Sequence, residues 1–248
     1  MNPYLAEFVG TALLVLFGNG VVANIVLART KGNGGGWICI TAGWAFAVTI
    51  AVFAVGRVSG GHLNPAVSIA LASIDSFKWA LVPGYIAAQM AGAVLGAILV
   101  YLTYLAHWEP TVEAGAKLAC FSTGPAIRRM VPAFITEFIG TGALLFGVLA
   151  FGKVVAGAPT DQAAWAATVH MWFGPALVGL LVFALGLSLG GPTGYAINPA
   201  RDLGPRIAHA LLPISGKGSS DWEYSWVPVL APILGGVVGA QLFKALNL

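Results

Sequence analysis

Two copies of one tripeptide hold the residues best placed to do chemistry in this chain. Asn64-Pro65-Ala66 lies within G-H-L-N-P-A-V (61–67), and Asn198-Pro199-Ala200 within G-Y-A-I-N-P-A-R-D (194–202). The chemistry is hydrogen bonding, with no bond made or broken. Asn is a preferred helix N-cap, its side-chain oxygen accepting from a first-turn N–H. Pro suits the first helical position, where its missing N–H costs nothing, and Ala is small enough for two helix starts to approach closely. With its oxygen in the cap, each Asn has amide N–H donors to spare. Two helix N-termini meeting at one point also bring two positive dipole ends together. Such a centre repels cations and offers donors to a neutral oxygen.

Other polar residues stand out by position. Arg201 follows the second Asn by three residues, one turn into an apolar helix start. Inside a membrane an Arg costs about 3 kcal/mol or more unless it faces water or a partner, so Arg201 is expected to face a pore. Glu7 and Glu137 sit inside apolar runs, where a carboxylate normally turns to the protein interior and finds a partner. His62 lies two residues before Asn64, with no base, nucleophile or metal ligand near it in sequence. Cys39 and Cys120 have neither metal-ligand spacing nor a disulfide framework around them. Neither a catalytic constellation nor a metal or cofactor site is expected.

The elements that position these residues follow from composition. Hydrophobic residues make up 58% of the 248 and charged residues 8%, against about 25% charged in a soluble domain. So few charges cannot cover a soluble globule, and the chain reads as one integral membrane domain. A net charge of +3 with no run of Lys or Arg gives nothing that would track a phosphate backbone, which excludes nucleic acid. Six stretches are long and apolar enough to span a bilayer: about 4–27, 38–57, 81–105, 132–152, 169–190 and 227–246. Two more, about 65–76 and 199–212, are too short, because a helix of about 12 residues covers only ~18 Å of a ~30 Å hydrocarbon core. They are expected to be re-entrant half-helices, which the membrane tolerates only where they are buried in protein or line a cavity. Polar connections fall at 28–37, 106–131, 153–168 (with Lys153 and Asp161) and 213–226. Trp222, Tyr224 and Trp226 are placed to form an interfacial aromatic belt.

The chain also repeats itself. A-E-F-V-G-T (6–11) aligns with T-E-F-I-G-T (136–141), the N-P-A segments align at nearly the same offset, and Gly92/Gly96 match Gly235/Gly239. Two homologous halves are expected, about 1–110 and 131–248, each running span, span, half-helix, span. Three spans per half is an odd number, so the second half starts on the opposite side and the repeats are inverted. Inverted repeats meeting at the midplane build a pathway through the protein.

These motifs, with S-G-G-H-L-N-P-A-V (59–67) and T-G-Y-A-I-N-P-A-R-D (193–202), make the chain similar to the major intrinsic protein family, the aquaporins and glycerol facilitators. The resemblance covers essentially the whole chain. It implies an all-α membrane fold of six transmembrane helices and two half-helices, cytoplasmic termini in a plasma or bacterial inner membrane, and a homotetramer with one pore per subunit. The charges do not favour that orientation: Arg29, Lys31, Lys117, Arg128, Arg129 and Lys217 would lie outside, the reverse of the positive-inside bias. The resemblance further implies a four-sided selectivity constriction at Trp44, Gly186, Tyr195 and Arg201. Asn64 and Asn198 become midplane donors, and Glu7 and Glu137 become buttresses of the loops before the half-helices. The carbonyls of Gly61, His62, Leu63, Gly194, Tyr195 and Ala196 become a ladder of free acceptors along the pore.

Water-selective members of that family usually carry His at the position of Gly186 and a smaller aromatic at that of Trp44. Here Gly186 widens the pore, Trp44 and Tyr195 form an apolar corner, and Arg201 faces it with donors. That lining suits glycerol, with CH on one side and OH on the other. Asp202 with Arg206, Pro228-Val229 and the long 213–226 connection also resemble the glycerol branch. The expected function is a passive channel for glycerol and small neutral polyols that passes some water, excludes ions and protons, and touches membrane lipid. The alternatives are a water, urea or metalloid channel, or a coupled secondary transporter.

Overall fold

The computed structural model describes residues 1–156 and 162–247, so Asp161 of the expected 153–168 connection lies outside the described residues. Nine α-helices are described: α1 (Pro3–Val26), α2 (Gly36–Ser59), α3 (Pro65–Ser73), α4 (Val82–Thr103), α5 (Ala114–Ala119), α6 (Met130–Ala156), α7 (Ala163–Leu189), α8 (Pro199–Leu211) and α9 (Val227–Ala245). Six of them, α1, α2, α4, α6, α7 and α9, are long and apolar enough to cross a membrane. The two short helices that begin at Pro65 and Pro199 reach roughly 14 and 20 Å.

Two boundaries differ from the sequence expectation. α7 begins at Ala163, six residues before 169, because A-A-W-A-A-T continues the helix on propensity alone, Ala being the best helix former. α5 is one short helix inside the polar 106–131 connection, too brief to leave a periodic signal. The aromatic belt is also revised. Trp222 and Trp226 are exposed, but Tyr224 is fully buried, its ring 6.0 Å from the Arg206 guanidinium carbon.

The packing is paired. α1 lies against α2 and α4, α6 against α7 and α9, and α2 against α7. Each half-helix crosses over to the last span of the other half of the chain, α3 against α9 and α8 against α4. Outward faces carry large apolar side chains such as Phe46, Phe53, Ile135, Ile139 and Leu180, so the spans are hydrophobic all round, as lipid requires.

Glycine sets the closest approaches. A methyl group on Gly92 of α4 would overlap the carbonyl of Phe8 on α1, and one on Gly235 of α9 would overlap the carbonyl of Phe138 on α6. Backbone meets backbone at both places, so no side chain can yield. Gly235→Ala is therefore expected to destabilise by about 1–3 kcal/mol, read as a lower thermal midpoint in detergent. Gly20→Ala on α1, where nothing lies within 4 Å, is expected to raise the midpoint slightly, because Ala in a helix interior is worth roughly 0.5–1 kcal/mol over Gly. Equal effects at the two positions would count against the packing argument.

Candidate functional site

The site is built where α3 and α8 begin. Asn64 caps α3, its Oδ1 accepting from Ala66 N at 2.9 Å. Asn198 caps α8, its Oδ1 accepting from Ala200 N at 3.0 Å and Arg201 N at 3.2 Å. Each side-chain amide then reaches across to the opposite loop. Asn64 Nδ2 donates to Ile197 O and Asn198 Nδ2 to Leu63 O, both at 2.8 Å. The two caps are thus cross-braced, and each amide retains one N–H for the interior. Sequence reasoning had both protons free, because it could not place the opposite loop.

The residues just before each Asn are held in an unfavourable backbone. Leu63 has φ +50°, Tyr195 +38° and Ile197 +43°, and a β-branched residue such as Ile197 is a genuine outlier there. Buried carboxylates hold these turns. Glu7 Oε1 accepts from His62 N (3.0 Å) and Ser59 Oγ (2.6 Å), and Oε2 from Leu63 N and Gln89 Nε2, both 2.7 Å. Glu137 accepts from Ala196 N at 2.9 Å and Ile197 N at 2.8 Å. Both side chains are wholly shielded from solvent. In each half the carboxylate binds the two N–H groups immediately before the Asn, which turns that stretch's carbonyls away from it.

These two loops border a cavity of about 360 Å³. Its lining takes Gly60, Gly61, His62, Leu63 and Asn64 from the first loop, and Tyr195, Ala196, Ile197, Asn198 and Arg201 from the second loop and the start of α8. The helices add an apolar lining: Leu14, Trp44, Val48, Val52, Val67, Leu71, Leu144, Val148, Val178 and Val182. His62 is fixed by Ser68 Oγ at 3.0 Å from its Nδ1 and by the rings of Phe77 and Tyr85. No cluster among the described residues could hold a metal ion.

One sequence expectation is corrected, and two glycines of the expected site are placed. The Leu63 carbonyl is not free, since Asn198 donates to it. A Cβ built on Gly194 would lie 3.3 Å from Thr123 Cγ2, so that face of the glycine packs on Thr123. Gly186 abuts the Tyr195 ring. A Cβ there would sit 2.9 Å from Tyr195 Cζ and 2.8 Å from Thr41 Cγ2, and its carbonyl accepts from Trp37 Nε1 at 2.9 Å. Gly186 therefore acts from behind Tyr195, by giving that ring room. Ile197, Gly60 and most of the apolar wall were missed. Trp44/Val48/Val52, Val67/Leu71, Leu144/Val148 and Val178/Val182 are i,i+4 sets, but in spans that are apolar all round no stripe distinguishes pore from lipid.

Arg201 is buried, and its guanidinium carbon lies 4.0 Å from the centre of the Trp44 ring. A cation on an indole face at this distance is attracted by about 0.5–2 kcal/mol. Behind it, Asp202 accepts from Thr123 N (2.7 Å), Thr123 Oγ1 (2.6 Å) and Arg206 Nε (2.9 Å). Arg206 continues to the carbonyls of Ser220 and Asp221, and Lys217 caps the last carbonyls of α8 at 2.7 Å. The 213–226 connection is thus fastened to the half-helix that carries Arg201. At its outer rim the Arg128 guanidinium, paired to Asp221 at 2.7 Å, holds that carboxyl below the usual carboxylate range.

Comparison with known proteins agrees with this geometry. The family model described as major intrinsic protein matches residues 1–243. A probable glycerol uptake facilitator protein of Thermotoga maritima is 56% identical over 98% of this chain and 99% of its own length. The glycerol uptake facilitator protein of Bacillus subtilis is 50% identical over 99% of this chain and 85% of its own. Among solved structures, the aquaglyceroporin from Plasmodium falciparum superposes with a TM-score of 0.83 at 32% identity, covering 98% of this chain and 95% of that one.

The loop geometry makes a specific prediction. In Glu137→Gln one oxygen becomes an NH₂ that faces a backbone N–H, leaving a buried donor unsatisfied at a cost of about 1–3 kcal/mol. The expected result is a lower thermal midpoint and reduced flux in proteoliposomes, with the order of permeating solutes unchanged. A changed order at normal stability would overturn the buttress role.

Proposed function

The chain belongs to the major intrinsic protein family and is a multi-pass membrane channel of its glycerol-facilitator branch, and from that premise we propose how it conducts. Glycerol and similar small neutral polyols pass down their gradients with some water, with no cofactor, ion coupling or chemical turnover. The observation that carries this reading is the mixed lining of the cavity: the two Asn, His62 and Arg201 together with Leu and Val side chains. A polyol entering it exchanges hydration for lined donors and acceptors on its OH edge, while its CH edge lies on the apolar wall at no cost in lost hydrogen bonds.

Trp44, Tyr195 and Arg201 form the selectivity constriction, with Gly186 supporting Tyr195 from behind. The remaining N–H of Asn64 and of Asn198 serves a hydroxyl at the midplane. The carbonyls of Gly61, His62, Tyr195 and Ala196 serve it on either side. Two helix N-termini and Arg201 raise the potential along the path, so cations and protons are excluded. We read the chain as one channel domain of two inverted halves, 1–110 and 131–248, which the matched α1–α4 and α6–α9 approaches support. A homotetramer in lipid, with one pore per subunit, completes the reading.

Stopped-flow measurements on proteoliposomes test it. Glycerol flux should rise linearly with its gradient and ignore uncouplers; saturation or dependence on an ion gradient would indicate a coupled transporter instead. Gly186→His should displace Tyr195 into the path and lower glycerol permeability at least tenfold, which is about 1.4 kcal/mol in barrier height, while water still passes. Unaltered glycerol flux in that variant would sink the constriction model.

A further inference from the structure

Both aromatic rings of the constriction lack a hydrogen bond to fix them. Trp44 Nε1 and Tyr195 Oη are buried and without a partner among the described residues. Packing alone holds the rings, and each is backed by glycine. Behind Trp44 is Gly18 of α1: a Cβ built there would overlap the six-membered part of the indole. Behind Tyr195 are Gly186 and Gly190. A Cβ on Gly190 would overlap the Tyr195 ring edge and lie 2.9 Å from Trp37 Cζ2, the Trp37 ring itself standing edge-on to Tyr195 at 5.7 Å.

We propose that Gly18, a residue outside the cavity wall, is a specificity-determining position: it sets how far the Trp44 ring retreats from the pore, and so the width available to a polyol. The inference rests on the constriction reading above. Trp44 lies between two constraints, the α1 backbone at Gly18 and the Arg201 guanidinium 4.0 Å from its centre on the cavity side. Carbon atoms in contact stand about 3.5–4.0 Å apart, so a methyl group at position 18 moves the ring roughly 1 Å toward Arg201. The chain Gly18–Trp44–Arg201 runs from a span that carries no constriction residue to the one Lys or Arg among the described lining residues. Gly190 plays the same part for Tyr195. Gly18 does this without touching the solute, so it is a positioning residue.

The test compares glycerol and water permeability in proteoliposomes of Gly18→Ala, Trp44→Ala, Trp44→Phe, the double variant Gly18→Ala/Trp44→Phe, and Gly20→Ala, which adds the same methyl to the same helix where nothing lies within 4 Å. Gly18→Ala is expected to lower the glycerol-to-water permeability ratio at least tenfold, and Gly20→Ala to leave it unchanged. Trp44→Phe, with a smaller ring, is expected to restore much of the ratio in the double variant. Glycerol and water falling in the same proportion, or a ratio unmoved by Gly18→Ala, overturns the proposal. If Gly18→Ala alone fails to reach the membrane, the double variant decides, and failure to recover both folding and glycerol flux overturns it equally. Trp44→Ala separates this inference from the reading beneath it. A ratio indifferent to Trp44→Ala defeats the constriction itself, whereas a ratio that responds to Trp44 but not to Gly18 defeats only the glycine seat.

Discussion

Everything along the pore depends on two buried carboxylates binding backbone N–H groups. Glu7 takes the N–H groups of His62 and Leu63, and Glu137 those of Ala196 and Ile197. Left to itself, each loop would relax out of the positive-φ conformations at Leu63 and Ile197, which cost about 1–3 kcal/mol each. Hydrogen bonds to a charged acceptor are worth about 1.5–3 kcal/mol apiece, so two per loop are enough to hold the strain. The carboxylates in turn need those donors, because an unpaired charge there would be far more expensive than the turn it stabilises. Each partner makes the other tolerable, and both loops are left bordering the cavity.

The asparagine braces close the arrangement. The N–H of Leu63 is held by Glu7 and its C=O by Asn198; the N–H of Ile197 is held by Glu137 and its C=O by Asn64. Each loop is therefore fixed by a carboxylate from its own half and an amide from the other. Neither half can set this geometry alone, which ties the alignment of the two helix starts to correct docking of both halves. The halves diverge immediately afterwards. The first runs on as Val67, which joins the apolar wall, and the second as Arg201-Asp202. Asp202 makes no hydrogen bond to the Arg201 guanidinium among the described residues; its oxygens are taken by Thr123 and Arg206. The Arg201 guanidinium meets no protein acceptor among the described residues and stacks on Trp44 instead.

What the sequence disclosed and what it hid follow a physical division. The caps, the buried acids, Arg201 and the six spans were legible, because each is a polar exception in an apolar background or a run of required length. The repeat marked which exceptions belonged together. The crossed amide bonds were not legible, since they join residues more than 130 positions apart through loops whose conformation depends on Glu7 and Glu137. The apolar wall was hidden for the opposite reason: its valines and leucines resemble those that face lipid. Gly186 was recognised as important, but not its contact with the Tyr195 ring. A glycine can act by what it lets a neighbour occupy, and that neighbour, Tyr195, is identified only by the fold.

This last point bears on how selectivity arises. The proposed carbonyl ladder and positive midplane offer the same donors and acceptors to water, urea and glycerol alike, so they would exclude ions without ranking neutral solutes. On the proposed constriction, ranking depends on the distance between the Trp44–Tyr195 corner and Arg201. None of the three is fixed there by a hydrogen bond from its side chain. Their separation is transmitted from backbone approaches one layer out, where α1 and α7 present glycine to the rings. On this proposal, selectivity in this architecture is a packing property: helix–helix distances govern the width, and the polar groups, held by the carboxylates, govern what enters at all.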